Sequence, residues 1–323
     1  MRKLTLVGDP HAMPKNLDKL TELFKLVEEL GNDTIILGDL LDTKELVRGS
    51  CLNFWINYFN NSSLFHYVLV GNHDWFNLDC KEHSLSALKM IPNVELIDSP
   101  RIIYNKKVPS LYAAPYIHDK EEVKKVIAEA KKLNIPLVAH LEINSFDFGN
   151  GQICTTGLVK NDFKGVPLVI SGHFHKQSIQ DNIVYVGTPF THSFGEANQK
   201  KQIAVLSEDL SLEYIDVKLP AHLSIELDVE KLTAPSISKL NKLAEKNYVR
   251  LIVTGSREKL TSYDFTLIDK SVKIIKKFND IAITEERVNE ELSNVGQFSY
   301  WASKIKNLDK ETISLGIKLL SGE

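Results

Sequence analysis

Cysteine is scarce in this sequence. Its 323 residues include three cysteines, Cys51, Cys80 and Cys154, which lie far apart and form no Cys-x-x-Cys pair. Sparse cysteines in odd number are typical of proteins whose thiols stay reduced. The composition therefore predicts free thiols and a cytoplasmic setting.

Long apolar runs are missing as well. No stretch approaches the roughly 20 apolar residues that a membrane-spanning helix needs. The charged N-terminus is followed by an apolar run that is too short for a signal peptide. We therefore expect neither a membrane span nor a secretion signal.

A basic excess is also absent, because the formal net charge is −3. Stand-alone DNA-binding proteins usually carry a basic balance, so this charge argues mildly against that class. A nuclease is not excluded, because bound divalent metals add positive charge that a residue count omits. A partner protein could also supply the basic surface.

The first two thirds of the chain alternate short apolar runs with helical patterns. Buried strands are predicted at 4–7, 34–37, 67–70, 137–139 and 168–170. An amphipathic helix between the first two ends at Gly31, and another is predicted at 121–133. Strands at 183–186, 202–206 and 212–216 have no helices between them and predict a second sheet. The predicted fold class is a layered α/β sandwich.

Beyond Pro220 the pattern changes. A strand at 224–228, a helix at 237–245 and a strand at 249–254 predict a small α/β unit, and the chain becomes helical from about residue 284. Two apolar stripes recur there at helical spacing: Val288, Leu292 and Val295, then Ile313, Ile317 and Leu320. We expect a main domain at 1–218, a small domain at 219–280 and a helical region at 281–323.

Five polar clusters each follow one of the predicted strands. They are Asp9-Pro10-His11, Gly38-Asp39-Leu40-Leu41-Asp42, Gly71-Asn72-His73-Asp74, His140, and Gly172-His173-Phe174-His175. Loops at the carboxyl ends of strands meet at one edge of an α/β sheet, so these clusters should converge. Carboxylate, amide oxygen and imidazole together suit manganese, iron or zinc better than calcium. The sequence therefore predicts a metal centre.

Each cluster is weak on its own. Asp-x-His is a common surface pair, Gly-Asp is ordinary turn chemistry, and a lone histidine such as His140 is more often structural. Their joint occurrence in this order favours the metal centre. Asp42 and Asp74 are expected to orient ligands rather than bind metal. Five histidines without a motif are interpreted as surface or core residues: His66, His83, His118, His192 and His222.

The five clusters resemble the motifs of calcineurin-like metallophosphoesterases, D-x-H, G-D-x-x-D, G-N-H-D/E, H and G-H-x-H, over roughly residues 5–190. Residues 185–190 and the segment Ser193-Phe194-Gly195-Glu196 look like those of SbcD-type DNA repair nucleases. The compact length is similar to the recombination nuclease subunits of large tailed phages. Serine/threonine phosphatases carry Arg-Gly after the second aspartate of motif two, whereas Thr43-Lys44 stands here.

This resemblance implies two metal ions that share one bridging carboxylate. One ion would be held by Asp9, His11, Asp39 and His175, and the other by Asp39, Asn72, His140 and His173. His73 would be the general acid, oriented by Asp74. The metals are expected to be manganese, with magnesium, iron or zinc as alternatives.

The resemblance also implies an activity and partners. The activity would be a 3′–5′ exonuclease on duplex DNA with endonuclease action on single strands, in a bacterial or phage-infected host cytoplasm. The partners would be DNA, an SbcC-type ABC/SMC ATPase bound through the C-terminal helices, and a second copy of the chain. The apolar helix around Leu52, Trp55, Ile56 and Phe59 could form the dimer surface or pack on the sheet.

Two other functions remain open. The chain could be a small-molecule phosphodiesterase or pyrophosphatase of the same superfamily, although such enzymes need no small domain or extra helices. It could also be a non-catalytic scaffold of this fold, but that reading predicts lost metal ligands, and none is lost here.

Overall fold

The computed structural model describes residues 3–44, 46–104, 108–279 and 313–314. The strands are β1 Lys3–Val7, β2 Asp33–Ile36, β3 His66–Leu69, β4 Val94–Ile97, β5 Arg101–Ile103, β6 Leu111–Ala114, β7 Leu137–His140, β8 Val169–Gly172, β9 Ser178–Gln180, β10 Ile183–Tyr185, β11 Gln202–Ser207, β12 Leu212–Asp216, β13 His222–Asp228, β14 Tyr248–Gly255 and β15 Lys273–Phe278. The α-helices are α1 Leu17–Leu30, α2 Gly49–Asn61, α3 Lys120–Leu133, α4 Ala234–Ala244 and α5 Arg257–Ser262. Among the described helices none is long and apolar enough to cross a membrane.

Two six-stranded sheets form the main body. The first has the order β12-β11-β1-β2-β3-β4, and the second has the order β5-β6-β7-β8-β10-β9. Strands β1 to β4 run parallel, as do β6, β7, β8 and β10. Parallel neighbours bring the carboxyl ends of several strands to the same edge of each sheet. A third sheet has the order β13-β14-β15.

The core consists of three apolar layers. Side chains of both six-stranded sheets, among them Leu6, Leu69 and Val138, pack together in one cluster. The buried face of α1, including Phe24, packs on the first sheet, and that of α3, including Ile127, packs on the second. This is a layered α/β sandwich, as the alternation of strands and amphipathic helices predicts.

The assignment of strands to the two sheets differs from the sequence prediction. Strands β11 and β12 extend the edge of the first sheet, where β11 pairs antiparallel with β1. The second sheet instead contains the predicted strands at 137–139 and 168–170, with β10 beside β8. Apolar patterning marks a buried strand, but pairing over about 200 residues of sequence leaves no local signal.

Helix α2 places its largest side chains in the core. Trp55 and Phe59 are fully buried and stack at 5.5 Å between ring centroids. Nε1 of Trp55 donates a 3.1 Å hydrogen bond to the carbonyl of Leu40. The sequence left open whether this apolar face forms a dimer surface or packs on the sheet. Trp55 and Phe59 pack on the sheet.

The described residues fall into two compact units. One holds the residues up to 227 together with 231–252 and 264–275, and the other holds 228–230, 253–263 and 276–279. The predicted strand-helix-strand after Pro220 corresponds to β13, α4 and β14. The predicted boundaries at 218 and 280 stay predictions, and the C-terminal helical region, apart from residues 313–314, lies outside the described residues.

Candidate metal centre

The strand ends bring the five predicted clusters together. Asp9, Asp39 and Asn72 follow β1, β2 and β3 of the first sheet, while His140 ends β7 and His173 follows β8 of the second sheet. Gly71 and Gly172 make this approach possible, because a Cβ atom on either would collide with the carboxylate of Asp39 or Asp9. The glycines therefore make room for the acidic side chains themselves.

Four residues of the five clusters converge in a group that we call site A: Asp9, His11, Asp39 and His175. Nε2 of His11 lies 3.1 Å from Nε2 of His175 and 3.7 Å from Oδ2 of Asp39. Potential ligand atoms of Asp9, His11 and His175 all lie within 4.8 Å of one another. Oδ1 of Asp9 is buried and has no hydrogen-bond partner among the described residues.

Site B consists of Asp39, Asn72, His140 and His173. Oδ1 of Asn72 lies 2.8 Å from Nε2 of His140 and 2.8 Å from Nδ1 of His173. Oδ2 of Asp39 lies 3.6 Å from the same Nε2 of His140. The Oδ2 atom that faces His11 in site A therefore also faces His140 in site B, as a bridging ligand would.

The charge and tautomer states in both sites fit metal ions. Burial raises the pKa of Asp9 well above its usual value, and the negative charge of nearby Asp39 raises it further. Burial lowers the pKa of His140 and of His173 to about 3, so both rings are neutral at pH 7. Because Nδ1 of His140 donates to the carbonyl of Leu37 at 2.8 Å, its Nε2 keeps the lone pair that faces Asn72. Crowded carboxylates and facing lone pairs are relieved by a shared cation.

Backbone strain is concentrated at the same residues. His11, Asp39 and His173 have φ angles of 43°, 50° and 88°, in the left-handed region that residues with a Cβ atom rarely adopt. Such strained residues persist where the surrounding structure holds them, and they cluster at functional sites. The strain supports the assignment of these three side chains to a binding centre.

Glu196 orients a predicted ligand, and the motif analysis did not assign it a role. Its Oε1 accepts from Nδ1 of His175 at 2.9 Å, so Nε2 of that ring keeps a lone pair for site A. Its Oε2 forms a buried 2.6 Å ion pair with Lys201 and accepts from Thr188 at 3.1 Å. Burial opposes ionisation, but the hydrogen bond from His175 and the charge of Lys201 hold the pKa of Glu196 at about 2. Glu196 is the last residue of the Ser-Phe-x-Glu segment. That segment indicated a family resemblance, but by itself it did not predict the contact with His175.

His73 and Asp74 have different surroundings from those predicted. Nδ1 of His73 donates to the backbone carbonyl of Asp42 at 2.6 Å, and its backbone N–H donates to Oδ1 of Asp39 at 2.8 Å. The carboxylate of Asp74 instead accepts from the backbone N–H groups of Gly71, Leu40 and Leu41, at 2.9, 3.3 and 3.1 Å. The expectation that Asp74 orients His73 is therefore corrected. Asp74 fixes the two ligand loops together, and Asp42 orients the ring.

The histidines without a motif separate into structural and site residues. His66 is buried and contacts Thr34 at 2.6 Å, and His83 lies 3.6 Å from Asp98, so both have structural roles. His118 is exposed. His192 departs from its interpretation as an ordinary surface or core residue, because its ring centroid lies 5.3 Å from that of His11 and 5.7 Å from that of His175. It belongs to the wall of site A.

The sequence of this chain is similar to those of known proteins. Residues 2–177 match the family model of the calcineurin-like phosphoesterases. Protein 244L of Invertebrate iridescent virus 6, named as a phosphoesterase, is 31% identical over 81% of this chain and 96% of its own length. Protein 078R of Invertebrate iridescent virus 3, also named as a phosphoesterase, is 27% identical over 82% and 80% of the two chains. Exonuclease subunit 1 of Enterobacteria phage T4 is 24% identical over 80% and 76%. This chain belongs to the calcineurin-like phosphoesterase family.

Proposed function

We propose that this chain is the nuclease subunit of a DNA recombination and double-strand-break repair complex. It would use manganese, degrade duplex DNA as a 3′–5′ exonuclease and cut single strands as an endonuclease. The observation that carries the proposal is the pair of ligand sets that share Oδ2 of Asp39. Paired metal sites of this kind serve in-line displacement at phosphodiesters.

DNA is favoured as the substrate by two further observations. The phage T4 relative is named as an exonuclease subunit, and its similarity extends over 80% of this chain. The segment Ser193–Glu196, which resembles that of SbcD-type repair nucleases, supplies Glu196 as the hydrogen-bond partner of His175. The resemblance to repair nucleases therefore continues beyond the metal ligands into the residues that orient them.

The chain's own charges explain why metals are needed. Asp9 and Asp39 are buried at the centre of the site and would repel a phosphodiester, and the net charge of −3 offers no compensation. When bound, two divalent cations would polarise the phosphate and acidify a water molecule. Nδ1 of His140 donates to the carbonyl of Leu37 and Nδ1 of His175 donates to Glu196, so Nε2 of each ring keeps a lone pair for a metal ion.

His73 is the proposed general acid. A carbonyl oxygen can only accept, so the Asp42 carbonyl fixes a proton on Nδ1 of His73 and leaves Nε2 for the substrate. A second proton on Nε2 can pass to the leaving oxygen as the P–O bond breaks. The ring lies 4.9 Å from that of His11, edge to face, so this proton is delivered beside site A.

The proposed partners are an SbcC-type ABC/SMC ATPase and a second copy of the chain. The apolar stripes at 288–295 and 313–320 support the first proposal, because apolar residues at helical spacing suit a groove or coiled coil on a partner. Trp55 and Phe59 lie in the core, so they are not part of the proposed dimer surface.

A substrate panel tests the proposed function against the small-molecule alternative. The purified protein with Mn²⁺ receives end-labelled linear duplex DNA, circular single-stranded DNA, a cyclic nucleotide and a dinucleotide pyrophosphate. We expect shortening of the duplex from its 3′ ends, nicking of the circle and loss of both activities in Asp39→Ala. Hydrolysis of the small molecules with both DNAs left intact would contradict a nuclease and favour the alternative.

A further inference from the structure

A cavity of about 200 Å³ lies beside site A and is not explained by the metal centre. Its lining includes Lys15, Lys19, Phe190, His192 and His222. His192 also faces the rings of His11 and His175, so it contributes to both the cavity and site A. We call the cavity the Lys19 pocket.

Lys19 places a buried positive charge in this pocket. Its residue surface is 9% exposed, and its Nζ donates a 2.8 Å hydrogen bond to the carbonyl of Pro220. Nζ also lies 4.7 Å from the ring centroid of Tyr248 and 5.5 Å from that of Phe190. No carboxylate within the described part of the chain lies close enough to pair with it. A buried ammonium without a counter-ion is costly, and an anionic ligand would relieve that cost.

A second lysine, Lys15, lies beside Lys19 in the pocket. Burial and the positive charge of Lys15 lower the pKa of Lys19 to about 8, against a smaller opposing effect of Glu196. Lys15 is exposed at the mouth of the same pocket. Two lysine side chains in one pocket favour the binding of an anion.

His192 adds an unused hydrogen-bonding group. Both of its ring nitrogens are buried and have no partner among the described residues. Leaving a buried polar group unpaired costs on the order of 1–3 kcal/mol, which points to a missing ligand. An imidazole ring always carries at least one N–H donor, so His192 can donate a hydrogen bond to a ligand in this pocket.

We propose that the Lys19 pocket binds the phosphate that flanks the scissile phosphate on the same DNA strand. Lys15 and Lys19 contact its oxygens, and His192 donates to it from the wall shared with site A. The volume is below the roughly 300–1,000 Å³ of pockets that enclose a whole ligand, so only part of the neighbouring nucleotide enters. This inference rests on the proposed nuclease function and assigns the binding position of the adjacent phosphate.

A neutral substitution in the substrate tests this pocket directly. Two oligonucleotides are compared with manganese, one natural and one with a single methylphosphonate in place of the flanking phosphate. For the wild-type protein we expect the neutral group to lower kcat/KM by about tenfold or more, a typical cost for one charged contact. In Lys19→Met and in Lys15→Met this penalty should largely disappear, because the contact is already lost. Lys25→Met, on the same helix but paired with Glu22 at the surface, should keep the wild-type penalty.

Binding without metal provides a second measurement. In EDTA, the affinity of a labelled single strand is followed by fluorescence anisotropy as salt is increased. Loss of one phosphate contact should lower the slope of log Kd against log salt by about 0.7 in Lys15→Met and in Lys19→Met. The control Lys25→Met should keep the wild-type slope. Lys15 is exposed, so its variant tests the pocket even if Lys19→Met does not fold.

The possible failures are distinguishable. If the wild-type protein cleaves bis-p-nitrophenyl phosphate but neither oligonucleotide, the nuclease function fails. If it cleaves both oligonucleotides and all three variants show the wild-type penalty and the wild-type salt slope, the nuclease function stands and the phosphate subsite is refuted.

Discussion

Replacing Glu196 by glutamine should weaken metal binding at site A while all four proposed ligands remain. The Glu196 carboxylate accepts from Nδ1 of His175 at 2.9 Å and so directs the Nε2 lone pair towards His11. Glutamine keeps the size of the side chain but loses the charge that favours this tautomer. Loss of such an orienting partner usually costs about 10–100-fold in metal affinity. We expect that loss at site A and little change at site B.

The same substitution should lower stability in a pH-dependent way. The pKa of Glu196 is about 2 in the folded protein against an ordinary value of 4.5. At about 1.4 kcal/mol per pKa unit this shift corresponds to roughly 3 kcal/mol. Because the folded-state pKa is the lower one, the stabilisation is present above the ordinary value and is lost as pH falls towards about 2. The free energy of unfolding of metal-free Glu196→Gln should therefore be lower by about 2–3 kcal/mol at pH 7, and the difference should shrink below pH about 4.5.

Titration calorimetry with Mn²⁺ and urea unfolding in EDTA measure the two effects. Glu213→Gln is the matched control, because Glu213 is an exposed acid that pairs with Lys3 at 3.0 Å. The control should bind two ions with wild-type affinity and unfold at the wild-type urea concentration. If Glu196→Gln also binds both ions like the wild type, the Glu196 carboxylate does not orient His175 and the reasoning is refuted.

Three further predictions concern the acid, the bridge and the C-terminal region. His73→Leu should lower nuclease turnover by about 10²–10⁴-fold with both metals retained, and metal analysis showing a lost ion would make His73 a ligand. Asp39→Ala should reduce occupancy of both sites and Asp9→Ala chiefly that of site A, whereas equal single-site losses would exclude a bridge. Deleting the residues after about Asp280 should leave a soluble manganese-dependent nuclease that no longer co-purifies with its ATPase. Aggregation or metal loss on truncation would place the apolar stripes in the protein's own core.

The position of the site was predictable because the residues that form it follow strand ends. Asp9, Asp39 and His173 each come within a few residues of a buried apolar run, and parallel strands bring such positions to one edge. Apolar periodicity and glycine placement also predicted the end of α1, where Gly31 adopts a φ of 65°. These features depend on local sequence and are therefore visible without a structure.

The surroundings of the site were not predictable in the same way. Lys19 lies on a helix whose pattern marks it as an ordinary polar position, and its burial depends on Phe190, Pro220 and Tyr248, far away in sequence. His192 belongs to no motif. It lies in the loop after β10, and the path of this loop brings its ring next to His11. Asp74 was assigned to His73 by analogy with catalytic triads, whereas the two side chains have different hydrogen-bond partners in the structure.

Anomalous diffraction from crystals soaked in Mn²⁺ tests the two-metal centre most directly. We predict two peaks on either side of Oδ2 of Asp39, one in contact with Nε2 of His11 and Nε2 of His175, and the other in contact with Asn72, His140 and Nδ1 of His173. A single peak, or two peaks that do not share Asp39, would contradict the bridged centre on which the proposed function depends.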